Sequence, residues 1–487
     1  MANQKLNNKI ISATKWSAIA EIIAKLVSPI TSMILARLLT PEAFGIVATL
    51  TVVITFAELF TDAGFQKYLV QHEFNSDADK DKSTNVAFWS NLVLSLIIWF
   101  VIFVFREQLA NVVGSPGLGL ALVIACASIP LAAFSSIQTA LYKRDLDFKT
   151  LFKVRLAGLL VPIFITLPLA LLLRSYWALV IGTIISNLLN AILLTLYSKW
   201  KPSLYYSWIR LKEMFSFTSW SLVEAIALWA TGYIDIFIIG RALDQYYLGL
   251  YTTSISLVGQ IMGLITTSTT PILFSSLSRL QNNHDEFKLL FLKFQKYVGV
   301  LIIPAGIGIY CFSDFVTNLF LGDQWTEASG FVGLWGLTSA VTIVFAHYCG
   351  EVYRSMGRPK LSVLVQVLHI VVLCPVVIIA VKYSFEILYM ARSLVRLESV
   401  LVNMIALYVI LKVKPLHMVK NVAPSIISSL IMLCVGKLLI EISHDTTWIL
   451  LCIGICTIFY FAVILLFPSE RKLVVPTIRK VITKDKH

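Results

Sequence analysis

Apolar residues run along this chain in stretches of about twenty, each long enough to cross a ~30 Å hydrocarbon core as a helix. Such runs fall near residues 14–36, 43–65, 85–105, 119–141, 156–173, 177–197, 218–240, 248–273, 298–313, 330–351, 361–381, 388–410, 423–440 and 448–467. The pattern predicts an all-α multi-pass membrane protein of about 14 transmembrane helices. The connections are short. The largest on one side, 106–118 and 314–329, are too small to carry a soluble catalytic domain.

Composition agrees, with 58% hydrophobic and only 14% charged residues in 487, against about 45–50% and 25% in soluble domains. The net charge of +13 would suggest nucleic acid in a soluble protein, but its placement excludes that partner. With the N-terminus inside, 31 Lys and Arg fall in inside segments and five (Arg37, Arg106, Arg174, Arg241, Lys382) in outside connections. Four more (Lys25, Arg392, Arg396, Lys437) lie within spans. One missed or invented span would invert the sides after it and erase this bias, so fourteen spans with both termini cytoplasmic is the expected topology. The first apolar run is long, carries Glu21 and Lys25 and lacks a small-residue cleavage site, so a retained N-terminus is expected. The seven cysteines form no CxxC pair or metal-type spacing and read as packing residues. Neither a metal nor a cofactor is called for.

A shift of 204 residues aligns TKWS at 14–17 with TSWS at 218–221, and ARLLTPEAFGIVAT at 36–49 with GRALDQYYLGLYTT at 240–253, without a gap. Trp16 and Arg37 then match Trp220 and Arg241, Gly45 matches Gly249, and Thr49 matches Thr253. The copies are six spans apart and share one orientation. Two parallel six-helix lobes, 1–210 and 211–415, followed by a final helix pair and basic tail, 416–487, are therefore expected. Repeats of this kind are a transporter architecture.

Ionisable groups at membrane depth cost roughly 2.5–3.5 kcal/mol each on insertion scales, and they face a bundle interior or water. In span 1, Glu21, Lys25, Ser28 and Ser32 share a face beside Pro29; the pair either neutralises itself, four residues apart, or serves a substrate or ion. In span 2, Thr51, Thr55, Glu58 and Asp62 form a stripe suited to a proton or cation, with helix capping as the other role for Asp62. Glu224 and Asp235 lie on one face of span 7. Span 12 is the most cationic, with Arg392, Arg396, Ser399 and Asn403 in helical register. Glu398 sits over neither arginine within that helix, so the pair needs an anion or a carboxylate from elsewhere, and the arginine fork suits phosphate or pyrophosphate. Arg37 and Arg241, at the outer ends of repeat-related helices, read as structural. His347 and His369 are potential proton relays or packing partners.

The strings ILARLLTPEAFGIVATLTVV at 34–53 and FAELFTDAGFQKYLVQ at 56–71 resemble the opening of bacterial polysaccharide flippases of the Wzx type. These belong to the MOP superfamily, which also holds lipid II flippases and MATE exporters. The loop YKRDLDFKTLFKVR at 142–155 is similar to the corresponding loop of that group. The resemblance implies two lobes, a central cavity and alternating access in the bacterial cytoplasmic (inner) membrane. The cargo it implies is an undecaprenyl-pyrophosphate-linked oligosaccharide, a surface-polysaccharide repeat unit. It also implies contact with membrane lipids and, as pathway partners, a polysaccharide polymerase and glycosyltransferases. Arg37, Gly45 and Asp62 occupy motif positions.

Three functions compete for this pattern. A flippase would place Lys25, Arg392, Arg396 and Asn403 around the pyrophosphate and glycan, and Glu21, Glu58, Asp62, Glu224 and Asp235 in ion coupling. A MATE-like exporter of cationic drugs would need a mainly acidic cavity, against which the cations argue. A membrane glycan polymerase or acyltransferase would need a larger outer loop.

Overall fold

The computed structural model describes the backbone of residues 2–62, 64–472 and 475–476; the side chains of Asp62 and Glu224 lie outside the described set. Among the described residues the regular structure is helical throughout. Fourteen segments are long and apolar enough to cross a membrane. They are α1 (Lys15–Leu38), α2 (Pro41–Thr61), α3 (Asp77–Val104), α4 (Gly119–Arg144), α5 (Phe148–Leu173), α6 (Trp177–Tyr197) and α7 (Ala225–Ala242), then α8 (Gln245–Arg279), α9 (His284–Cys311), α10 (Asp323–Ser355), α11 (Lys360–Ala380), α12 (Phe385–Leu411), α13 (Pro415–Ile440) and α14 (Thr446–Ile464). Each coincides with an apolar run in the sequence.

The helical choice follows from the solvent. In hydrocarbon no water satisfies a backbone N–H or C=O, and a helix closes these bonds within the segment. Several helices outrun the bilayer: α8, at 35 residues, is about 52 Å long at ~1.5 Å per residue. Pro29 lies within a helix that runs unbroken from Ala2 to Leu38. Just beyond it the Thr31 hydroxyl donates to the carbonyls of Val27 and Ser28, at 3.2 and 3.0 Å. Two spans contain a π-helical turn, Pro162–Thr166 in α5 and Ile343–His347 in α10.

By internal packing the chain forms two compact units, Met1–Thr252 and Thr253–His487. In the first unit, Leu50, Ile102, Leu122, Cys126, Ile129 and Val180 form a buried core among α2, α3, α4 and α6. A second cluster gathers Phe65, Tyr68, Leu69, Phe88, Ile137 and Met214 around a short helix, Phe65–Gln71. Arg144 closes that helix, donating to the carbonyls of Leu69 (2.8 Å) and His72 (2.7 Å), which supplies partners for carbonyls that a helix C-terminus leaves open.

The helix that contains α7, Trp208–Ala242, begins the second copy of the repeat and packs in the first unit against α2 and α3. The lobe boundaries at 210 and 415 describe sequence duplication and stand as a proposal beside this division. The repeat offset recurs in the helix ends: one helix ends at Leu38 and the next begins at Pro41, and 204 residues later the same break lies between Ala242 and Gln245.

In the second unit, α9 and α10 approach closely through glycines. A Cβ on Gly306 would lie 2.4 Å from the Ala340 Cβ and 2.7 Å from the Gly336 carbonyl oxygen, so only small residues allow this crossing. The last described segment is tied back to α9 by Lys296 and the fully buried Glu470, 2.9 Å apart.

Candidate functional site

The arginines of α12 are held by the second unit. The guanidinium carbons of Arg392 and Arg396 lie 5.0 and 3.8 Å from the ring centroid of Trp335 on α10, and Arg396 Nη1 donates to the Ser339 hydroxyl at 2.9 Å. Trp335 and Arg392 are 5% and 7% exposed. An arginine stays charged at any relevant pH, so the indole face stands in for part of the water each head group has lost. Two residues along α12 from Arg396, and so on a different side of the helix, Glu398 Oε2 is 3.0 Å from His369 Nδ1 of α11. The carboxylate that sequence spacing left over neither arginine therefore faces the neighbouring helix.

Asn403 departs from the expected grouping. Its Oδ1 accepts from the Tyr353 hydroxyl at 2.8 Å and its Nδ2 donates to the Ser399 carbonyl at 2.8 Å. It ties α12 to α10 and is buried. Lys25 belongs to the first unit and the arginines to the second.

In the first unit, Glu21 does not pair with Lys25. Its Oε2 is 2.8 Å from Arg155 Nη2 on α5. Sequence reading left Arg155 in a loop, but α5 begins at Phe148 and carries it inside the helix. Glu58 lies on the wall of a cavity of about 440 Å³ together with Thr55, Gln66, Lys67, Asn91 and Ser136. Asn91 is fully buried; its Nδ2 donates to the Ser136 hydroxyl at 2.7 Å, while its Oδ1 has no hydrogen-bond partner among the described residues. Carboxylate, amide and hydroxyl oxygens along one wall make a donor set for a proton or a hard cation. Among the described residues no group of His, Cys, Asp or Glu is arranged to hold a metal.

Asp235 is 2% exposed and accepts from the Tyr251 hydroxyl at 2.7 Å. Its expected partner Glu224, like Asp62, has its side chain outside the described residues. Arg37 and Arg241 are exposed at the ends of their helices.

Gly45 makes the repeat visible as a contact. A Cβ there would stand 1.9 Å from the Gln245 carbonyl oxygen, and one on Gly249 would stand 1.8 Å from the Pro41 carbonyl oxygen. Pro41 and Gln245, like Gly45 and Gly249, are 204 residues apart, so each repeat copy lays the first carbonyl of its helix over the other's glycine. Gln245 Nε2 also donates to the Ser115 hydroxyl at 2.8 Å.

Sequence reasoning missed Trp335, Ser339, Tyr353, Tyr251 and Arg155 as partners. Each acts across helices, where no spacing rule applies. With an aromatic residue in twelve of the fourteen spans, the sequence offers no signal that Trp335 in particular receives the arginines.

The model of a family described as polysaccharide biosynthesis protein matches residues 34–330. The chain is similar to a protein of Escherichia coli (strain K12) named lipopolysaccharide biosynthesis protein WzxC, with 21% identity over 66% of this chain and 65% of that one. It is also similar to the succinoglycan biosynthesis transport protein ExoT of Rhizobium meliloti (strain 1021), with 24% identity over 67% and 65%. The alignments thus span just under two thirds of these relatives. A solved structure of the lipid II flippase MurJ in an inward closed conformation superposes with a TM-score of 0.75 at 17% identity, covering 93% of this chain and 98% of that one. At that identity the likeness concerns the fold.

Proposed function

The chain belongs to the polysaccharide biosynthesis protein family, and on that premise we propose that it moves a polyprenyl-pyrophosphate-linked oligosaccharide across the bilayer by alternating access. It is a multi-pass membrane transporter and not an enzyme. The observation that carries the reading is the pair Arg392 and Arg396, fixed on Trp335 in a membrane-spanning helix. Two permanent cations at that depth are costly for any protein that does not use them. A pyrophosphate brings the matching charge, and the arginine fork fits its oxygens.

In this reading the oligosaccharide starts at the cytoplasmic leaflet of the bacterial inner membrane and both chain termini face the cytoplasm, as the 31 to 5 distribution of Lys and Arg supports. Polymerase and glycosyltransferases of the same pathway would act on either side of the step. Lys25 and Asn403 are secondary members of the substrate group, Asn403 through its hold on Tyr353. Ion coupling is assigned first to Glu58, which has the cavity and the Asn91 oxygen beside it. Asp235 with its Tyr251 partner follows. Glu21, Asp62 and Glu224 complete the group on sequence grounds. Arg37, Gly45 and Arg241 are assigned to structure.

The test is transbilayer movement of a lipid-pyrophosphate-linked oligosaccharide by the protein in liposomes, for the wild type and for Arg396→Ala. Movement that falls with the variant at equal reconstitution supports the arginine site. Movement that survives reduces Arg396 to a packing residue. Glu58→Gln in the same assay is expected to remove the response to an imposed ion gradient.

A further inference from the structure

The sequence from 245 to 278 holds no Asp, Glu, Lys, Arg or His, yet within α8 it carries polar side chains along one face. Ser256, Gln260, Thr267 and Thr270 fall at intervals of four, seven and three, which keeps them within roughly 80° of one another at about 100° per residue. On the far side, roughly 200–260° around the helix from Ser256, Val258, Met262 and Leu273 are buried. The polar face is the more open one, with Ser256 exposed and Gln260, Thr267 and Thr270 half-buried. A Cβ added at Gly259 would meet no atom within 4 Å.

Lipid does not suit that face. The Gln260 amide donates to the Ser256 hydroxyl at 3.1 Å, which leaves its carbonyl and a second N–H to find partners. In hydrocarbon each such group costs several kcal/mol. Water, or a hydroxylated ligand, satisfies them.

A second element meets the same face. The π-helical turn Ile343–His347 of α10 has Ile343, Val344, Phe345 and Ala346 buried, and leaves His347 exposed at its end with Nε2 3.5 Å from the Thr270 hydroxyl. The next residue, Tyr348, is buried and its hydroxyl is 2.7 Å from that of Thr269. That contact fixes α10 against α8 and holds His347 in place. π-turns of this kind are frequent where a helix must aim a functional side chain.

We propose that Ser256, Gln260, Thr267, Thr270 and His347 form a saccharide subsite, which takes uncharged, hydroxyl-rich sugar rings during transport. The inference rests on the flippase reading and names a different part of the cargo from the one the arginines take. Hydroxyl, amide and imidazole groups each donate and accept hydrogen bonds, as sugar hydroxyls do. The absence of charge along the face matches neutral rings, and the paired arginines lie on another helix, α12.

Two measurements test it. First, Gln260→Cys is treated with a membrane-impermeant maleimide in the full-length protein and compared with the parent chain. Labelling at position 260 is expected; an inert thiol would place the face against lipid or protein and overturn the proposal whether or not the protein is a flippase. Second, Gln260→Leu and His347→Phe are assayed in liposomes with two substrates, a polyprenyl-pyrophosphate oligosaccharide and the same lipid bearing one sugar. Losing the hydrogen bonds of either side chain should slow the oligosaccharide roughly tenfold and the single-sugar lipid less than twofold. Partial recovery is expected for Gln260→Asn and His347→Gln, which retain hydrogen-bonding groups. Equal loss with both lipids would make these residues structural, and no loss would remove them from the pathway. A wild type that moves neither lipid, while position 260 still labels, would instead overturn the flippase reading beneath the proposal.

Discussion

Gly45→Ala is the sharpest perturbation of the fold. The new Cβ would stand 1.9 Å from the Gln245 carbonyl oxygen and 2.8 Å from its carbon, and real Cβ atoms essentially never approach closer than 3.0 Å. The first turn of α8 would have to retreat by about 1.1 Å, and because the obstacle is backbone, no rotamer change relieves it. Overpacking costs typically ~1–3 kcal/mol, and a backbone obstacle belongs at the upper end. About 3 kcal/mol is a shift of more than a hundredfold against the crossed arrangement. Gly249→Ala strikes the Pro41 carbonyl oxygen at 1.8 Å in the same way. Since either substitution parts the helix starts, the second should add little, and the double variant should cost far less than the two singles combined. The assay is thermal unfolding together with the rate at which a short thiol cross-linker joins Ser115→Cys to Gln245→Cys, side chains that meet at 2.8 Å in the parent. Both should fall with Gly45→Ala. An unchanged midpoint with an unchanged cross-linking rate would show that the two helix starts do not cross at these glycines.

Other perturbations separate packing from function. Trp335→Ala removes a nearly buried ring that carries two guanidinium groups and should lower stability by about 3–5 kcal/mol in chemical denaturation; Arg396→Lys should fold normally yet transport less, since ammonium keeps the charge and loses the stacked fork. Tyr353→Phe leaves Asn403 Oδ1 buried without its donor and should cost roughly 1–2 kcal/mol by the same measurement. Glu21→Gln should cost less than ~1 kcal/mol, because Glu21 and Arg155 are each nearly half exposed and such pairs contribute little; a large loss would mean the pair is desolvated in the membrane.

The spans were legible because each is a continuous physical requirement, about twenty residues without water, and the uneven sharing of Lys and Arg between alternate connections agreed with their number. Gly45 was legible because its counterpart lies at a constant offset in the same chain. The pairings were not. Glu21 and Lys25 are neighbours on one helix by spacing, yet Glu21 turns to Arg155, 134 residues away, because helix packing and not register sets what lies across from it. The pairing of His369 with Glu398 and of Asn403 with Tyr353 has the same origin. Trp335 reads as one more apolar residue in a span until the packing of α12 against α10 brings two arginines to its face.

The cargo proposed for this protein is an anionic, pyrophosphate-linked glycolipid. The most direct measurement loads liposomes that contain the purified protein with such a lipid in one leaflet and follows its appearance in the other, beside a cationic dye as the competing cargo. The glycolipid is expected to cross only when the protein is present, and the dye is expected not to cross. Dye transport without glycolipid movement would contradict that proposal and assign the chain to export of cationic drugs.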